Sequence, residues 1–263
     1  MILTQAQRQT FAEDGYFVLR GFAPEAEGLA IEAEIIDAIR ADPPSTHPGE
    51  AAYRTAGDLF IQPEQKPMQG WRKPEDLISK VFNPHLSGAA QAFAHRDDVA
   101  AIVTELIGAP SSVFQSQFIF KNPGAWGQPW HQDAFYFPFD RRPEIGVWLA
   151  ISEATLENGC LAAIPGWHQH PVLEHGPDLR EGANHGYLEI PGLPEDEAKA
   201  LVMEPGDCLI FHSLLPHRSF DNRAASRRSA IVYHYAASAT SVTRPLSPAQ
   251  ALIHHWRPVG RAP

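Results

Sequence analysis

Residues 147–165, VWLAISEATLENGCLAAIP, decide the fold class. They hold two short runs of apolar and β-prone residues, 147–152 and 160–165, with polar residues between them. The dipeptide Asn158-Gly159 lies just before the second run, and Asn-Gly is typical of the tight turn in a β-hairpin. We therefore predict a hairpin here, with its second strand ending at Pro165-Gly166.

Three more runs of the same kind surround this stretch: VFQSQFIF (113–120), DCLIFH (207–212) and SAIVYHY (229–235). Gly, Pro and Asn punctuate the connections, as turn residues do between short strands. Most connections lack the helical crossover that parallel strands require. We predict a mainly β fold, in which antiparallel strands close into a jelly-roll or cupin-like barrel.

The N-terminal part has helical patterns. We predict a helix over 4–14 that begins at the N-cap Thr4 and ends at Gly15, a strand over 16–22, an amphipathic helix over 24–41 and a further helix over 88–107. Residues 43–75 are rich in Pro and Gly and predict a long loop that could bind substrate. We expect one domain over 1–263, with a helical and loop region at about 1–111, a barrel at about 112–236 and a C-terminal extension over 237–263.

Composition restricts the partners. The chain has 263 residues and a formal net charge of −10, which argues against nucleic acid and anionic membrane surfaces. No apolar run has the length of a membrane span, and the N-terminus lacks the pattern of a secretory signal. Cys160 and Cys208 form no C-x-x-C pair and predict two free thiols in a reducing cytoplasm. We expect a small-molecule substrate.

The stretch PWHQDAFYF (129–137) contains two potential metal ligands, His131 and Asp133. In an extended strand, residues two apart point to the same face, so both could bind one metal. A third ligand could come from His212 or His217. Two histidines and one carboxylate form the facial triad of non-haem Fe(II) oxygenases. We predict His217 as the third ligand, because His212 lies inside an apolar run typical of a packed histidine.

A chelating 2-oxo acid would need a cation for its distal carboxylate. Arginine suits this role because its planar fork matches a carboxylate. Arg228 immediately precedes the run SAIVYHY and would begin its strand, and Ser219 would share a strand face with His217. Spacing alone favours the alternative that Arg228 is a surface arginine beside Arg227.

Together these motifs resemble the phytanoyl-CoA dioxygenase family. The resemblance rests on the H-x-D pair, the run GVWLAISEATLENGCLAAIPGWH (146–168) and the pattern GD-x9-H-x-S-x8-R over 206–228. It extends from about residue 4 to 235 and implies a double-stranded β-helix and an oxygenase that uses Fe(II) and 2-oxoglutarate. Within the family, the chain looks more similar to the phytanoyl-CoA dioxygenase domain-containing proteins and bacterial relatives than to the peroxisomal enzyme.

The resemblance implies His131, Asp133 and His217 as the catalytic iron ligands, with O₂ as a second co-substrate. It also implies contacts between 2-oxoglutarate and five residues: Arg228, Ser219, Trp148, Lys80 and Gln117. Trp148 is equally compatible with an ordinary core tryptophan and Lys80 with a surface lysine. Gln117 departs from the methionine of similar family members. Lys121, at the end of the same predicted strand, is a further candidate for the carboxylate.

The resemblance further implies a reaction. 2-Oxoglutarate and O₂ would give succinate and CO₂ while an unactivated C–H bond is hydroxylated, and halogenating relatives lack the carboxylate that Asp133 provides. Four aromatic residues could line the pocket mouth: Phe135, Tyr136, Phe137 and Phe139. The chain ends GRAP rather than with a peroxisomal signal, which makes an acyl-CoA substrate a weaker expectation.

Two other classes of function remain compatible with the residues. A cupin-like isomerase or hydrolase could use Zn²⁺ or Mn²⁺ at the same His₂Asp site, with no role for Arg228 or Ser219. A non-catalytic module could bind the metal and 2-oxoglutarate without turnover.

Overall fold

The computed structural model describes residues 3–44, 53–64, 72–180 and 187–260. The α-helices are α1 (Gln5–Asp14), α2 (Glu25–Ala41), α3 (Gly88–Ala94), α4 (Asp97–Ile107), α5 (Asp133–Tyr136) and α6 (Pro248–Ile253). The strands are β1 (Tyr16–Leu19), β2 (Arg54–Ala56), β3 (Leu59–Pro63), β4 (Ile78–Phe82), β5 (Ser111–Lys121), β6 (Ile145–Ala150), β7 (Leu161–Ala163), β8 (Gly176–Pro177), β9 (Leu188–Glu189), β10 (Lys199–Leu201), β11 (Cys208–His212), β12 (His217–Ser219), β13 (Arg228–Ala237) and β14 (Arg257–Pro258). Short 3-10 turns occupy Pro74–Leu77, Pro84–Leu86, Trp167–Gln169 and Glu195–Glu197.

The described strands form two main antiparallel sheets that face each other. The large sheet has the order β1-β11-β6-β13-β5-β4-β3-β2, and β14 pairs with the N-terminal part of β5. The small sheet has the order β10-β7-β12. This arrangement confirms the predicted mainly β fold, a double-stranded β-helix with helices beside its N-terminal part.

The predicted hairpin over 147–165 is wrong, although its turn is present. β6 pairs with β11 and β13 in the large sheet, whereas β7 pairs with β10 and β12 in the small sheet. Gly159 has a φ of +91°, and the Asn158 side chain accepts a hydrogen bond from the Thr155 N–H at 2.7 Å. The turn therefore lies within a ten-residue connection between β6 and β7, and this connection carries the chain from the large sheet to the small one.

The predicted helices and first strand of the N-terminal part are confirmed with two changes. Thr4 and Gln7 form a reciprocal capping box at the start of α1, and Gly15 ends the helix with a φ of +83°. The expected helix over 88–107 is two helices, because Arg96 is extended and its guanidinium pairs with Asp98 and Glu27. The first strand ends at Leu19 rather than residue 22, since the following two residues turn toward the Asp207 carboxylate.

The predicted loop over 43–75 contains regular structure. β2 and β3 form a hairpin that extends the large sheet, with Gly57 at a φ of +58° in its turn. β3 then pairs with β4 beside β5. Residues 45–52 and 65–71 of this prediction lie outside the described residues.

Two apolar clusters hold these layers together. The larger lies between the outer face of the large sheet and the helices, and it includes Ile31, Ile35, Ile39, Phe93 and Val103. The second lies between the two sheets and includes Trp148, Leu161 and Leu209. The helices thus seal one face of the large sheet and leave its inner face to line a cavity. No helix among the described residues is long and apolar enough to cross a membrane.

Candidate metal and co-substrate site

The predicted metal ligands converge, but not on one strand. His131 forms an isolated bridge with His217 at the start of β12, in which each backbone N–H donates to the carbonyl of the other at 3.0 and 2.9 Å. Asp133 is the first residue of the short helix α5. The expectation that a strand aligns His131 and Asp133 is therefore wrong. A backbone pair brings the histidines together, and a helical turn aims the carboxylate at them.

Backbone carbonyls fix both histidines in the same tautomer. The Nδ1–H of His131 donates to the carbonyl of Pro129 at 2.8 Å, and that of His217 donates to the carbonyl of Leu215 at 2.9 Å. Because a carbonyl only accepts, the proton must lie on Nδ1 in each ring. Each Nε2 is left with its lone pair free, which is how metal-binding histidines are oriented.

The three candidate ligands form a compact group. One donor atom from each of His131, Asp133 and His217 lies within 4.8 Å of the others. The Nε2 atoms of His131 and His217 are 3.6 and 3.8 Å from Asp133 Oδ1. Burial raises the pKa of Asp133, but the neighbouring histidines His217 and His234 outweigh it and hold that pKa well below its usual range. Burial lowers the pKa of His217 to about 4. One carboxylate and two neutral imidazoles suit a divalent cation such as Fe(II).

Arg228 is a buried cation in the same cavity rather than a surface residue. Its side chain is 1% exposed, and its Nη2 donates to the Gly159 carbonyl at 3.2 Å. Nε and Nη1 are buried and lack hydrogen-bond partners among the described residues. Burial lowers the pKa of Arg228 to about 10. The guanidinium lies 5.5 Å from the Trp148 ring centroid. Two unused donors on a buried cation fit a carboxylate from a ligand.

A second cation, Lys121, lies opposite Arg228 across the β5–β13 ladder. Its Nζ donates to Ser219 Oγ at 2.8 Å and to the Phe220 carbonyl at 2.6 Å. Burial, followed by the charge of Arg228, lowers the pKa of Lys121 well below its usual value. Ser219 Oγ also accepts from the Gln128 N–H at 3.0 Å. The arrangement offers two cations and a hydroxyl to one acidic group.

Lys80 and Gln117 line this cavity from neighbouring strands. Lys80 is buried in β4, where its Nζ donates to Gln128 Oε1 at 3.0 Å and lies 5.0 Å from the Tyr187 ring centroid. Burial lowers the pKa of Lys80 to about 8. Gln117 donates from Nε2 to Gln115 Oε1 at 2.9 Å. The structure thus gives Gln117 a partner within the protein and makes Lys80 a cavity residue rather than a surface one.

The cavity has a volume of about 270 Å³ and brings together all the predicted site residues: His131, Asp133, His217, Arg228, Ser219, Trp148, Lys80 and Gln117. Lys121 lines it as well. His212 does not, since it packs against Phe11 and His168 beside α1. Of the four aromatic residues, Tyr136 and Phe137 line the cavity, whereas Phe135 stacks on His175 and Phe139 packs in a separate cluster.

Several cavity residues are not among those predicted from the sequence. His234 is buried in β13, and its Nδ1 lies 3.6 Å from Asp133 Oδ2. Strand alternation from Arg228 to His234, six positions on, could have placed both on one face. The C-terminal extension also contributes Gln250 and His254, and the Gln250 side chain donates to the Tyr136 carbonyl at 2.8 Å. No sequence pattern indicates that contribution.

Comparison with known proteins agrees with this geometry. The family model described as phytanoyl-CoA dioxygenase (PhyH) matches residues 11–230. The human peroxisomal phytanoyl-CoA dioxygenase is 27% identical over 245 residues, which cover 90% of this chain and 69% of that protein. The bovine phytanoyl-CoA dioxygenase domain-containing protein 1 is 29% identical over 275 residues, covering 92% and 93%. These identities do not separate the two kinds of relative.

A solved structure supports the fold. The epimerase SnoN, determined in complex with Fe3+, alpha ketoglutarate and nogalamycin RO, has a TM-score of 0.66 and 18% identity to this chain. The similarity covers 93% of this chain and 87% of that one. This similarity confirms the predicted fold, and the family match confirms the predicted family, enzyme class and cofactors. The chain belongs to the phytanoyl-CoA dioxygenase family of Fe(II)- and 2-oxoglutarate-dependent dioxygenases.

Proposed function

We propose that this dioxygenase hydroxylates a C–H bond of a small molecule, with Fe(II) held by His131, Asp133 and His217. Arg228 would bind the distal carboxylate of 2-oxoglutarate. The observation that carries the proposal is the buried Arg228, which lines the same cavity as the three ligand atoms and whose Nε and Nη1 have no partner in the part of the chain that the structure describes. An isomerase or hydrolase that used its metal only as a Lewis acid would have no role for a buried cation in the same cavity.

Each side chain would have a separate task. When bound, Fe(II) supplies the reaction of O₂ with 2-oxoglutarate that yields succinate and CO₂ and oxidises the substrate. His131 and His217 present Nε2 because their Nδ1–H groups are held by backbone carbonyls. Ser219 and Lys121 would complete the carboxylate site with Arg228. Trp148 covers the guanidinium and excludes water from it.

Lys80 and Gln117 have less direct support as co-substrate contacts. Lys80 is held by Gln128, and the same residue contacts Ser219 through its N–H, so Gln128 joins Lys80 to the carboxylate site. We propose that Lys80 binds the co-substrate from this position. Gln117 is bonded to Gln115 instead, and we assign it to the substrate side of the cavity.

The identity of the oxidised product is also a proposal. The carboxylate of Asp133 favours hydroxylation, because relatives that halogenate lack it. Similar folds serve other outcomes, since SnoN is named an epimerase. The buried free thiols Cys160 and Cys208 and the net charge of −10 support a cytoplasmic enzyme that does not bind nucleic acid.

The test is succinate formation from 2-oxoglutarate by the purified protein with Fe(II) and O₂, compared between Arg228→Met and Arg227→Met. Arg227 is the matched control, because it bonds to Asn122 and Asp76 outside the cavity. We expect succinate from the wild type and from the Arg227 variant, and little from the Arg228 variant. Activity with Zn²⁺ or Mn²⁺ that needs neither 2-oxoglutarate nor Arg228 would support the cupin-like isomerase or hydrolase instead. Tight 2-oxoglutarate binding without succinate would support the non-catalytic module.

A further inference from the structure

The inner face of the large sheet carries two cations at one end of the β5–β13 ladder and uncharged polar side chains further along it. Arg228 and Lys121 are paired at one end of the β5–β13 ladder, and His234 and Gln115 are paired six residues further along β13. A six-residue separation in a strand corresponds to roughly 20 Å. His234 is also the residue that lies 3.6 Å from Asp133. Gln115 therefore lies at the end of the ladder where Asp133 approaches β13, about 20 Å along the strand from the co-substrate anchor.

Three carboxamides line the cavity wall: Gln115 and Gln117 on β5, and Gln62 on β3, two strands away beside Lys80. Gln115 and Gln62 are 3% and 5% exposed, and both line the cavity with Gln117. The bond between Gln117 and Gln115 uses one amide nitrogen and one amide oxygen, so the pair keeps one of each in either amide orientation. Neither these atoms nor the Gln62 carboxamide have a hydrogen-bond partner among the described residues.

Gln115 and Gln62 are buried and Gln117 is half-buried, but their unpartnered amide atoms remain open to the cavity, since none of these atoms is among the side-chain atoms sealed from solvent. An aliphatic chain in this position would remove water from them and provide no hydrogen bond in return. A polar molecule would satisfy both the free donor and the free acceptor. Specificity for hydrogen-bonding groups arises in this way, because a site that binds them discriminates against analogues without them.

We propose that the substrate is a small polar molecule that carries both an N–H or O–H donor and a carbonyl or carboxylate acceptor, as amino acids and their amides do. Gln115, Gln117 and Gln62 bind those groups and position the reacting carbon near Asp133. The inference rests on the proposed function, since it names the substrate class of the same site.

The test uses two sets of probes with the Fe(II)-loaded full-length protein, 2-oxoglutarate and O₂. The first set is the proteinogenic L-amino acids and their N-acetyl amides, and the second is hexadecanoyl-CoA and phytanoyl-CoA. The readout is the increase in succinate formation over the rate without probe, and the oxidised probe is identified by mass spectrometry. We expect stimulation by members of the first set and none by the acyl-CoA set.

Two variants distinguish a loss of substrate recognition from a general loss of folding or activity. Gln115→Leu keeps the shape of the side chain and removes its hydrogen bonds, so kcat/KM for the stimulating probe should fall about tenfold or more. Gln5→Leu is the matched control, because Gln5 is exposed at the start of α1, and it should leave kcat/KM unchanged. Fluorescence-monitored unfolding of each variant checks that it is folded.

Three results would overturn the inference: stimulation by an acyl-CoA alone, an unchanged kcat/KM in Gln115→Leu, or no stimulation by the polar set. In each case the protein should still form succinate slowly without a probe and bind 2-oxoglutarate anaerobically in the presence of Fe(II). Loss of those two properties in the wild type would instead refute the proposed function.

Discussion

Arg228 and Lys121 lie directly opposite each other across the β5–β13 ladder, and both side chains are buried. Like charges in such a pair destabilise a sheet, and burial adds the cost of desolvating each charge. Hydrogen bonds from Lys121 to Ser219 and Phe220 offset only part of this cost. The pair is therefore a destabilising feature of the protein alone that an anionic ligand would relieve.

Because of this pairing, removing the charge of Arg228 should have opposite effects on the stability of the protein and on ligand binding. Replacing the buried charge in Arg228→Met should leave the free energy of unfolding unchanged or raise it by about 1–3 kcal/mol, because a desolvated cation is removed. The same change should abolish the stabilisation that 2-oxoglutarate gives to the metal-loaded protein. Urea unfolding with and without 2-oxoglutarate measures both effects.

Arg227→Met is the control for that experiment. Arg227 bonds to Asp76 and Asn122, so its loss should lower stability slightly and leave the effect of 2-oxoglutarate intact. If Arg228→Met were the more destabilised variant and still responded to 2-oxoglutarate, Arg228 would be a structural residue.

Gly127 sets the position of the segment beside the carboxylate site. A Cβ at this position would collide with the carbonyl oxygen of Ser219. Gly127→Ala should therefore shift Gln128 and Ser219, lower stability by about 1–3 kcal/mol and raise the apparent KM for 2-oxoglutarate. Thermal unfolding and succinate kinetics measure the two effects.

Gly176→Ala provides the matched comparison, since nothing lies within 4 Å of a Cβ there and its φ is not positive. It should leave both stability and KM nearly unchanged. Equal effects of the two substitutions would show that the close approach of Gly127 to Ser219 has no functional consequence.

His85 makes stability depend on pH in the acid range. Its Nε2–H donates to the His255 carbonyl at 2.9 Å, and its Nδ1 accepts from the Ser116 hydroxyl at 2.7 Å. Burial lowers the pKa of His85 from its ordinary value of 6.5 to about 4. Between these values the unfolded chain binds a proton that the folded protein does not. This contribution to stability is therefore complete above about pH 6.5 and is lost as the pH falls toward 4.

The expected loss from this one group is about 3 kcal/mol across that range. In His85→Gln, the unfolding free energy should decrease less steeply between pH 6.5 and 4.5 than in the wild type. The exposed His170 serves as the control, and His170→Gln should keep the wild-type slope. Identical slopes in all three proteins would contradict the role of His85.

The residues singled out by sequence do share one cavity, but the sequence did not indicate the geometry that brings them together. The spacing of His131 and Asp133 predicts that a strand aligns them, but a backbone pair with His217 and a helical turn do so instead. Asn-Gly chemistry located the turn at 158–159, but turn chemistry does not determine which strands pair afterwards. The hairpin prediction failed for that reason.

Other parts of the site depend on tertiary packing and carry no local signal. Arg228 and Arg227 are adjacent in sequence, and only the direction of β13 separates a buried cation from a surface one. Gln250 and His254 reach the cavity because the C-terminal segment folds back along β5, where β14 pairs with it. Long-range pairing of this kind has no periodic pattern within the segment itself.

In the proposed site, His131, Asp133 and His217 hold Fe(II) while Arg228 binds 2-oxoglutarate. The most direct measurement is an anaerobic titration of the metal-free protein with Fe(II) and 2-oxoglutarate, followed by the visible charge-transfer absorption of their complex. Asp133→Ala, Arg228→Met and the exposed-site control Asp140→Asn are titrated alongside. We predict the band in the wild type and the Asp140 variant, and its loss or a weakening of apparent affinity of about 100-fold in the other two. A wild type without the band, or a band of full strength in Asp133→Ala, would contradict the account.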